Sequence, residues 1–227
     1  MAKPLRHGYT TGACATAATL GAALMLREQR SVEMVELPLP AGFSASFSLQ
    51  GQRFCRQSAG CFVVKDAGDD PDVTHGVEVH ATVALVEGDS PGVLLEGGVG
   101  IGRVTKPGLA VAVGEWAINP VPRRMILAAI DSVFQQLPAG HQLRVTISIP
   151  DGLERSRRTL NERLGILGGL SILGTSGVVR PISHQAWTDT LEVALDVALA
   201  AGSSTVVLST GRSSERVAQQ QLALAEE

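Results

Sequence analysis

The hydrophobic period of the sequence changes from helical to alternating and back, and this pattern constrains the fold more than any other feature. A first helical stripe is predicted by small and apolar residues at Ala13, Ala17, Leu20 and Leu24. Residues 42–50 then alternate apolar side chains with serine, as in a half-buried strand. Because the predicted strands gather early and the helices later, we expect an α+β fold with a mixed sheet packed on helices.

The remaining elements follow from the same two periods. A strand at 32–39 is expected to pair with residues 42–50 across a short turn, and further strands are predicted at 62–65, 77–87, 93–96 and 143–149. A helix is predicted from Pro120, capped by Asn119, with one apolar face formed by Ile126, Ile130, Val133 and Leu137. Another helix should start with a capping box of Asp151 and Glu154 and end at Gly165.

The chain of 227 residues is expected to divide into residues 1–183 and residues 184–227. The first part is a main α+β domain with glycine-rich ligand loops. The second part is the beginning of a smaller, Rossmann-like α/β domain, with a helix that carries Trp187, a strand at 204–209 and a final helix. Since a lone strand cannot form a sheet, this strand must pair with the first part or belong to an incomplete domain.

Composition excludes several classes of function. A net charge of −3 and few aromatic residues (two Trp, one Tyr, five Phe) argue against nucleic acid as a partner. The sequence has no apolar run long enough for a membrane span. The three cysteines lack metal or disulfide spacing, so we expect free thiols in a reducing cytoplasm, and the five histidines form no zinc motif, so no metal ligands are assigned.

Two polar segments have the composition of binding loops. In residues 8–16, hydroxyls and small residues precede the first helix, so its N–H groups can hold an anion, although capping by Thr10 or Thr11 explains the same pattern. In residues 65–76, four carboxylates lie within seven residues. They can bind a cation, hydroxyl or ammonium donors, or hold a base of raised pKa; the alternative is a solvated turn.

Two further segments are rich in glycine. Residues 96–108 do not form a P-loop, because Arg103 and Val104 stand where Lys and Ser/Thr are required, but the cations Arg103 and Lys106 suit an anionic ligand. Residues 165–177 interleave glycine with apolar residues, and only close packing or a ligand offsets the entropy cost of ordering them. The arginines just before this stretch can also be explained as partners in surface ion pairs.

Taken together, these segments resemble a known family. The stretches GYTTGACATAA, KDAGDDPDVTHG, GGVGIGRVTKPGL, INPVPRRMI, SIPDG and TLNERLGILGGLSILGTSGVVRPIS are similar to those of the CbiD-type cobalt-precorrin-5B C-methyltransferases, from about Arg6 to Arg212. The resemblance implies transfer of a methyl group from S-adenosyl-L-methionine to ring carbon 1 of a cobalt-bound tetrapyrrole, giving cobalt-precorrin-6A in anaerobic cobalamin biosynthesis. It also implies that the cobalt arrives inside the substrate, and no membrane partner is expected.

The resemblance implies roles for individual residues. For the substrate carboxylates we expect cationic or helix-terminal partners, namely Thr10, Thr11, Gly12, Arg103, Lys106, Arg123 and Arg124. The polar groups of the methyl donor are assigned to Asp66, Asp70, Gly98 and Gly100. Asp69 is the candidate catalytic base.

The sequence departs from the family in two respects. Family members extend beyond Glu227, so the chain is expected to be truncated, and a recognisable glycine fingerprint for the methyl donor is lacking. A truncated chain leaves open a non-catalytic fragment that binds a corrinoid precursor. A small-molecule kinase is a third hypothesis, which the missing Lys-Ser/Thr after Gly102 argues against. The sequence leaves open whether the chain forms a homo-oligomer.

Overall fold

The fold is built on a five-stranded sheet, in a computed structural model that describes residues 5–88, 91–209 and 211–222. The strands are β1 (Gly8–Tyr9), β2 (Met34–Pro38), β3 (Ser44–Ser48), β4 (Gln50–Phe54), β5 (Ser58–Val64), β6 (Glu78–Glu87), β7 (Val93–Gly97), β8 (Arg103–Val104), β9 (His141–Ser148), β10 (Ile166–Leu167) and β11 (Val178–Val179). The helices are α1 (Thr11–Glu28), α2 (Pro120–Val133), α3 (Gly152–Ser156), α4 (His184–Ala200) and α5 (Arg212–Leu222). The expected α+β class and mixed sheet are confirmed.

The order of the sheet places several strand ends at one edge. The order is β4-β5-β6-β9-β7, with β7 parallel to β9 and the other neighbours antiparallel. Val64 pairs with Glu78, and Gly97 pairs with Ile147. The carboxyl ends of β5, β7 and β9 therefore lie at the same edge, where loops after parallel strands commonly form ligand sites. The hairpin of β2 and β3 pairs as the sequence predicts.

Helix α1 is buried on nearly all sides, so the expected single apolar stripe is wrong. It packs against β5 and β6, against α2 and against β2. Its small residues allow this close packing, and the fully buried Thr16 and Thr19 donate their hydroxyls to the carbonyls of Gly12 and Ala15. A helix of Ala, Gly and Thr thus fills a space too narrow for larger side chains.

Two helix ends differ from the predictions. Asn119 precedes α2 but its side chain makes no capping bond, and Leu137 lies beyond the end of the helix. Helix α3 is much shorter than expected because it ends at Ser156, far before Gly165. The capping box is absent because the Asp151 carboxylate accepts a hydrogen bond from Arg155 Nε, at 2.6 Å, instead of from the helix N–H groups.

The last part of the described chain is less regular than expected. The helix that carries Trp187 forms as α4, and the final helix forms as α5, but residues 205–209 have no regular secondary structure. Within the described ranges no strand pairs with this exposed stretch, so the predicted strand is not formed. The division at residue 183 stays a prediction. No helix of the described residues is long and apolar enough to cross a membrane.

Beyond β7, the backbone of Gly100 passes between two other segments. Gly100 has a φ of +72°, and its carbonyl accepts a hydrogen bond from the Leu170 N–H at 2.8 Å. A side chain here would overlap the carbonyl oxygen of Ile149 and come within 3.0 Å of the Gly152 Cα. Close packing of backbones thus accounts for glycine at this position.

We expect G100A to destabilise the protein far more than G140A. Gly140 has a similar φ of +74° but no atom within 4 Å of its Cβ position, so it isolates the cost of the backbone conformation. Overpacking should add about 2 kcal/mol or more to the loss of unfolding free energy in G100A. Urea denaturation of both variants measures the difference. Equal losses would show that the glycine is required only for its φ angle.

Candidate functional site

The four segments singled out in the sequence meet at the carboxyl edge of the sheet. The Tyr9 N–H donates to the Asp66 carbonyl at 2.7 Å, which joins the start of α1 to residues 65–76, hereafter the acidic loop. The Gly12 N–H donates to the Leu173 carbonyl at 3.0 Å, which joins α1 to residues 165–177. That last segment also contacts Gly100, as described above. The candidate loops therefore form one connected structure rather than separate turns.

Asp66 is bound on both oxygens within the acidic loop. The Arg6 guanidinium donates to both carboxylate oxygens, and the Gly68 N–H donates to Oδ1 at 2.9 Å. The hydrogen bond from Arg6, together with the one from Gly68, lowers the pKa of Asp66 to about 2. The carboxylate is therefore charged at neutral pH and holds the loop against the chain before α1.

Lys65 is a buried cation at the base of the acidic loop. Its side chain is 1% exposed, and Nζ donates to Asp72 Oδ2 at 2.6 Å. Asp72 also accepts from the Thr74 N–H and hydroxyl, both at 2.7 Å. Burial would raise the pKa of Asp72, but the charge of Lys65 and the hydrogen bonds from Lys65 and Thr74 hold it below its ordinary value. This pair fixes the far side of the loop.

Sequence reasoning missed the structural roles of Lys65, Asp72 and Arg155. The burial of Lys65 could be predicted from the period of strand β5. Cys61, Val63 and Lys65 alternate onto one buried face of the strand and the residue that follows it. A lysine on a buried face requires a carboxylate partner.

Arg155 binds the acidic loop from helix α3. Its Nη1 donates to the Val73 carbonyl at 2.7 Å and to the His75 carbonyl at 3.0 Å, while its Nε binds Asp151. No sequence pattern separates this arginine from its neighbours on the same segment. The acidic loop is thus held in one conformation from three directions and is not a solvated turn.

Asp69 and Asp70 lie at the tip of the acidic loop. Asp69 Oδ2 accepts from the Arg6 N–H at 2.6 Å, and Asp70 Oδ1 accepts from the Ile182 N–H at 3.1 Å. A carboxylate has about four acceptor positions. Each of these two groups therefore keeps the capacity to accept further hydrogen bonds from hydroxyl or ammonium donors.

The start of α1 packs closely against α2 and against residues 165–177. The residues in contact are Thr10, Thr11 and Gly12. The Thr10 hydroxyl caps α1 by accepting from the Ala13 N–H, and the Thr11 hydroxyl accepts from the Leu173 N–H at 3.0 Å. All three residues are buried, and a side chain at Gly12 would lie 2.6 Å from a ring carbon of Pro122. Both threonine hydroxyls are engaged within the protein. Anion binding by these residues stays a prediction.

Gly98 and Gly100 are surrounded by atoms of the protein itself. The Gly98 N–H donates to the Ile147 carbonyl at 2.7 Å, and a side chain at Gly98 would overlap the Ser148 hydroxyl. The surroundings of Gly100 are equally filled. Packing alone therefore accounts for both glycines, and their role toward a methyl donor stays a prediction.

None of the predicted cations makes a side-chain hydrogen bond or an ion pair with the acidic loop among the described residues. The Arg103 guanidinium stacks 3.9 Å from the Trp116 ring centroid and donates to the Gly114 carbonyl at 2.5 Å. Lys106 Nζ donates to the Arg163 carbonyl at 3.4 Å. On α2, a nitrogen of Arg123 lies 4.0 Å from a carboxylate oxygen of Glu115, and Arg124 is exposed.

Backbone pairing joins some of the segments that carry Arg103, Lys106, Arg123 and Arg124, hereafter the basic surface. Strand β8, which contains Arg103, pairs with β10, and Trp116 bridges to Arg103 from the chain that leads into α2. No hydrogen bond among the described residues joins this basic surface directly to Asp69 or Asp70. Among the described residues, no three His, Cys, Asp or Glu side chains are placed to hold a metal ion.

We expect D66N to reduce the acid sensitivity of the fold. Because the pKa of Asp66 is lowered, its stabilising contribution is present above about pH 4 and is lost as the pH falls toward about 2. The free energy of unfolding of the wild type should therefore fall more steeply over this range than that of D66N. Urea titrations at several pH values measure both slopes, with the exposed D131N as control. Parallel slopes would remove Asp66 from the acid response.

Known proteins are similar to this chain over most of its length. The family model described as CbiD matches residues 1–181. A protein of Citrifermentans bemidjiense named cobalt-precorrin-5B C(1)-methyltransferase is 60% identical over 225 residues, which are 99% of this chain and 63% of that protein. A protein of Pelobacter propionicus with the same name is 62% identical, over 96% of this chain and 56% of its own. The chain thus spans less than two thirds of these curated relatives.

A solved structure has the same fold. The crystal structure of a cobalamin biosynthesis protein (cbiD) from Archaeoglobus fulgidus matches with a TM-score of 0.59 and 29% sequence identity, over 96% of this chain and 68% of that one. The family match covers most of the chain, including the acidic loop and the glycine-rich segments. The chain therefore belongs to the CbiD family.

Proposed function

We propose that this chain takes part in methylation of ring carbon 1 of cobalt-precorrin-5B, giving cobalt-precorrin-6A. The observation that supports the proposal most is that four motifs far apart in the sequence are joined by backbone hydrogen bonds at one edge of the sheet. Relatives with this name share about 60% of the sequence. S-adenosyl-L-methionine is the proposed methyl donor, and the cobalt is part of the substrate.

The basic surface is the proposed partner of the substrate carboxylates. The substrate has several acetate and propionate groups, and arginine binds such groups through two parallel hydrogen bonds. Arg103 is held in place by Trp116 and Gly114, so little side-chain entropy is lost when it binds. Lys106 and Arg123 are further cations of this surface, and Arg124 is exposed on the same helix as Arg123.

The tip of the acidic loop is the proposed contact for the methyl donor. Asp69 and Asp70 keep acceptor capacity, which suits hydroxyl or ammonium groups, whereas Asp66 is already bound by Arg6. Protein atoms fill the space beside Gly98 and Gly100, so we propose that these glycines allow close packing next to the donor. The donor would supply a methyl group already activated on a sulfonium.

The chemical demands on the protein are modest. A conjugated macrocycle provides the carbon nucleophile, so no covalent enzyme intermediate is required. The residues of this chain need only hold the two reactants in line, exclude water and accept a proton. Asp69 is the proposed acceptor of that proton, because its carboxylate lies at the tip of a rigid loop.

A cytoplasmic location is part of the proposal. Cys14, Cys55 and Cys61 are free thiols, and two of them are buried. Free thiols of this kind are typical of a reducing compartment.

Calorimetry with S-adenosylhomocysteine tests the first part of the proposal. We expect this chain to bind the demethylated donor, and the protein of Citrifermentans bemidjiense to bind it with a similar affinity. If only the relative binds, the chain is a module that holds the corrinoid precursor without catalysis. Stronger binding of ATP–magnesium than of S-adenosylhomocysteine would contradict both hypotheses and favour a kinase.

We expect D69N to lower turnover of cobalt-precorrin-5B at least tenfold, which corresponds to about 1.4 kcal/mol in the activation barrier. The amide oxygen of asparagine can still accept from the Arg6 N–H, so the loop should stay folded. The measurement is methyl transfer from labelled S-adenosyl-L-methionine. D189N, on the exposed surface of α4, is the control and should keep full turnover. Unchanged turnover in D69N would remove Asp69 from the site.

A further inference from the structure

A cavity between the segment after α3 and helix α5 is not used by the site described above. Its volume is about 470 Å³, which falls in the range of small-molecule sites. The lining residues are Arg157, Arg158, Thr159, Leu160, Arg163 and Glu215. Three guanidinium groups and one carboxylate give this lining a net charge of +2.

Two of the three arginines in this cavity have no side-chain partner among the described residues. Arg155, two residues earlier, makes hydrogen bonds to Asp151 and to the acidic loop. In contrast, neither Arg157 nor Arg158 makes a side-chain hydrogen bond or an ion pair with any residue in the described ranges, and both are exposed. A concave surface with charge of one sign raises the local concentration of ligands with the opposite sign. The cavity is therefore suited to an anion.

Glu215 is the carboxylate among the residues that line this cavity, and it contacts one of the arginines. Its Oε1 lies 3.4 Å from Arg163 Nη1, and this is the ion pair that joins α5 to the cavity. Both side chains are substantially exposed, at 60% for Arg163 and 42% for Glu215. Exposed ion pairs are weak, so a carboxylate of a ligand can replace Glu215 at little cost.

The cavity continues the basic surface of the proposed site. Arg163 lines the cavity, and its carbonyl accepts the hydrogen bond from Lys106 Nζ. Thr105 is bound to the Gly165 carbonyl through its N–H at 2.7 Å and its hydroxyl at 2.8 Å, which holds the two segments together. Lys106 is therefore in direct contact with the segment that lines the cavity.

We propose that Arg157, Arg158 and Arg163 form a binding site for carboxylate groups, which Glu215 occupies when no ligand is bound. Arginine, with its planar fork of donors, is the side chain best matched to carboxylates. The identity of the ligand rests on the proposed function: the acetate and propionate groups of the tetrapyrrole would enter the cavity. Glu215 then acts as an internal competitor.

Two ligands test this site separately from the proposed function. Benzene-1,3,5-tricarboxylate and cobalt-precorrin-5B are titrated at low salt into the wild type, R157A/R158A, R163A and E215Q. We expect at least a tenfold loss of affinity for both ligands in R157A/R158A, a smaller loss in R163A, and a gain of about threefold in E215Q. R30A is the control, because Arg30 pairs with Glu28 near the other end of α1, and its affinity should equal that of the wild type.

Each outcome has a separate meaning. Affinities of R157A/R158A equal to those of the wild type for both ligands overturn the carboxylate site, whereas binding of cobalt-precorrin-5B in that case still upholds its assignment as the ligand of the chain. Arginine-dependent binding of the tricarboxylate without binding of cobalt-precorrin-5B upholds the site and overturns the proposed function. An affinity of E215Q no higher than that of the wild type overturns the role of Glu215. Thermal unfolding of each variant verifies that these exposed substitutions leave the fold intact.

Discussion

The geometry of the acidic loop depends on one buried ion pair. Lys65 is taken out of water at the end of β5, and removing a charge from water costs several kcal/mol unless a partner is well placed. Asp72 is that partner, and the Thr74 hydroxyl and N–H hold it in position. Since the lysine cannot stay buried without this carboxylate, the chain between the two residues must form a closed loop. Asp66, Asp69 and Asp70 lie within that loop.

Two further elements determine what the loop faces. Helix α1 begins directly beside it, and the small residues of this helix let α2 and the sheet approach from opposite sides. Arg155 binds the loop from α3, and Arg6 binds it from the chain before α1. Segments that are far apart in the sequence are thus brought together mainly by backbone hydrogen bonds and a few charged contacts. The candidate site is therefore held in place by contacts within the protein, and such preorganisation lowers the entropy cost of binding a ligand.

Much of the fold was predictable, because period and turn chemistry are local. The hairpin of β2 and β3 and the central strands β6 and β9 follow from alternating residues, and α2 follows from Pro120 and its apolar face. The depth of α1 was not predictable, since its period indicates one buried face, whereas burial on nearly all sides depends on what packs around the helix. Likewise, the sequence does not show that Asp151 accepts its hydrogen bond from Arg155 in place of a capping box. For the candidate site, the sequence identifies the segments, but which carboxylates are already paired depends on contacts across the fold. Lys65 is the exception, because its register in β5 already indicates burial.

The crossing of three backbones at Gly100 has an evolutionary consequence. Gly152 and Gly169 approach the backbone of Gly100, so three segments of the chain touch without side chains between them. A residue inserted into or deleted from any of these segments would shift its carbonyls out of register with the other two segments. Changes of length among relatives should therefore collect at open turns, such as the one at Gly42 where no atom lies near the Cβ position. The path of the main chain, more than the identity of individual side chains, is what natural selection must preserve at this crossing.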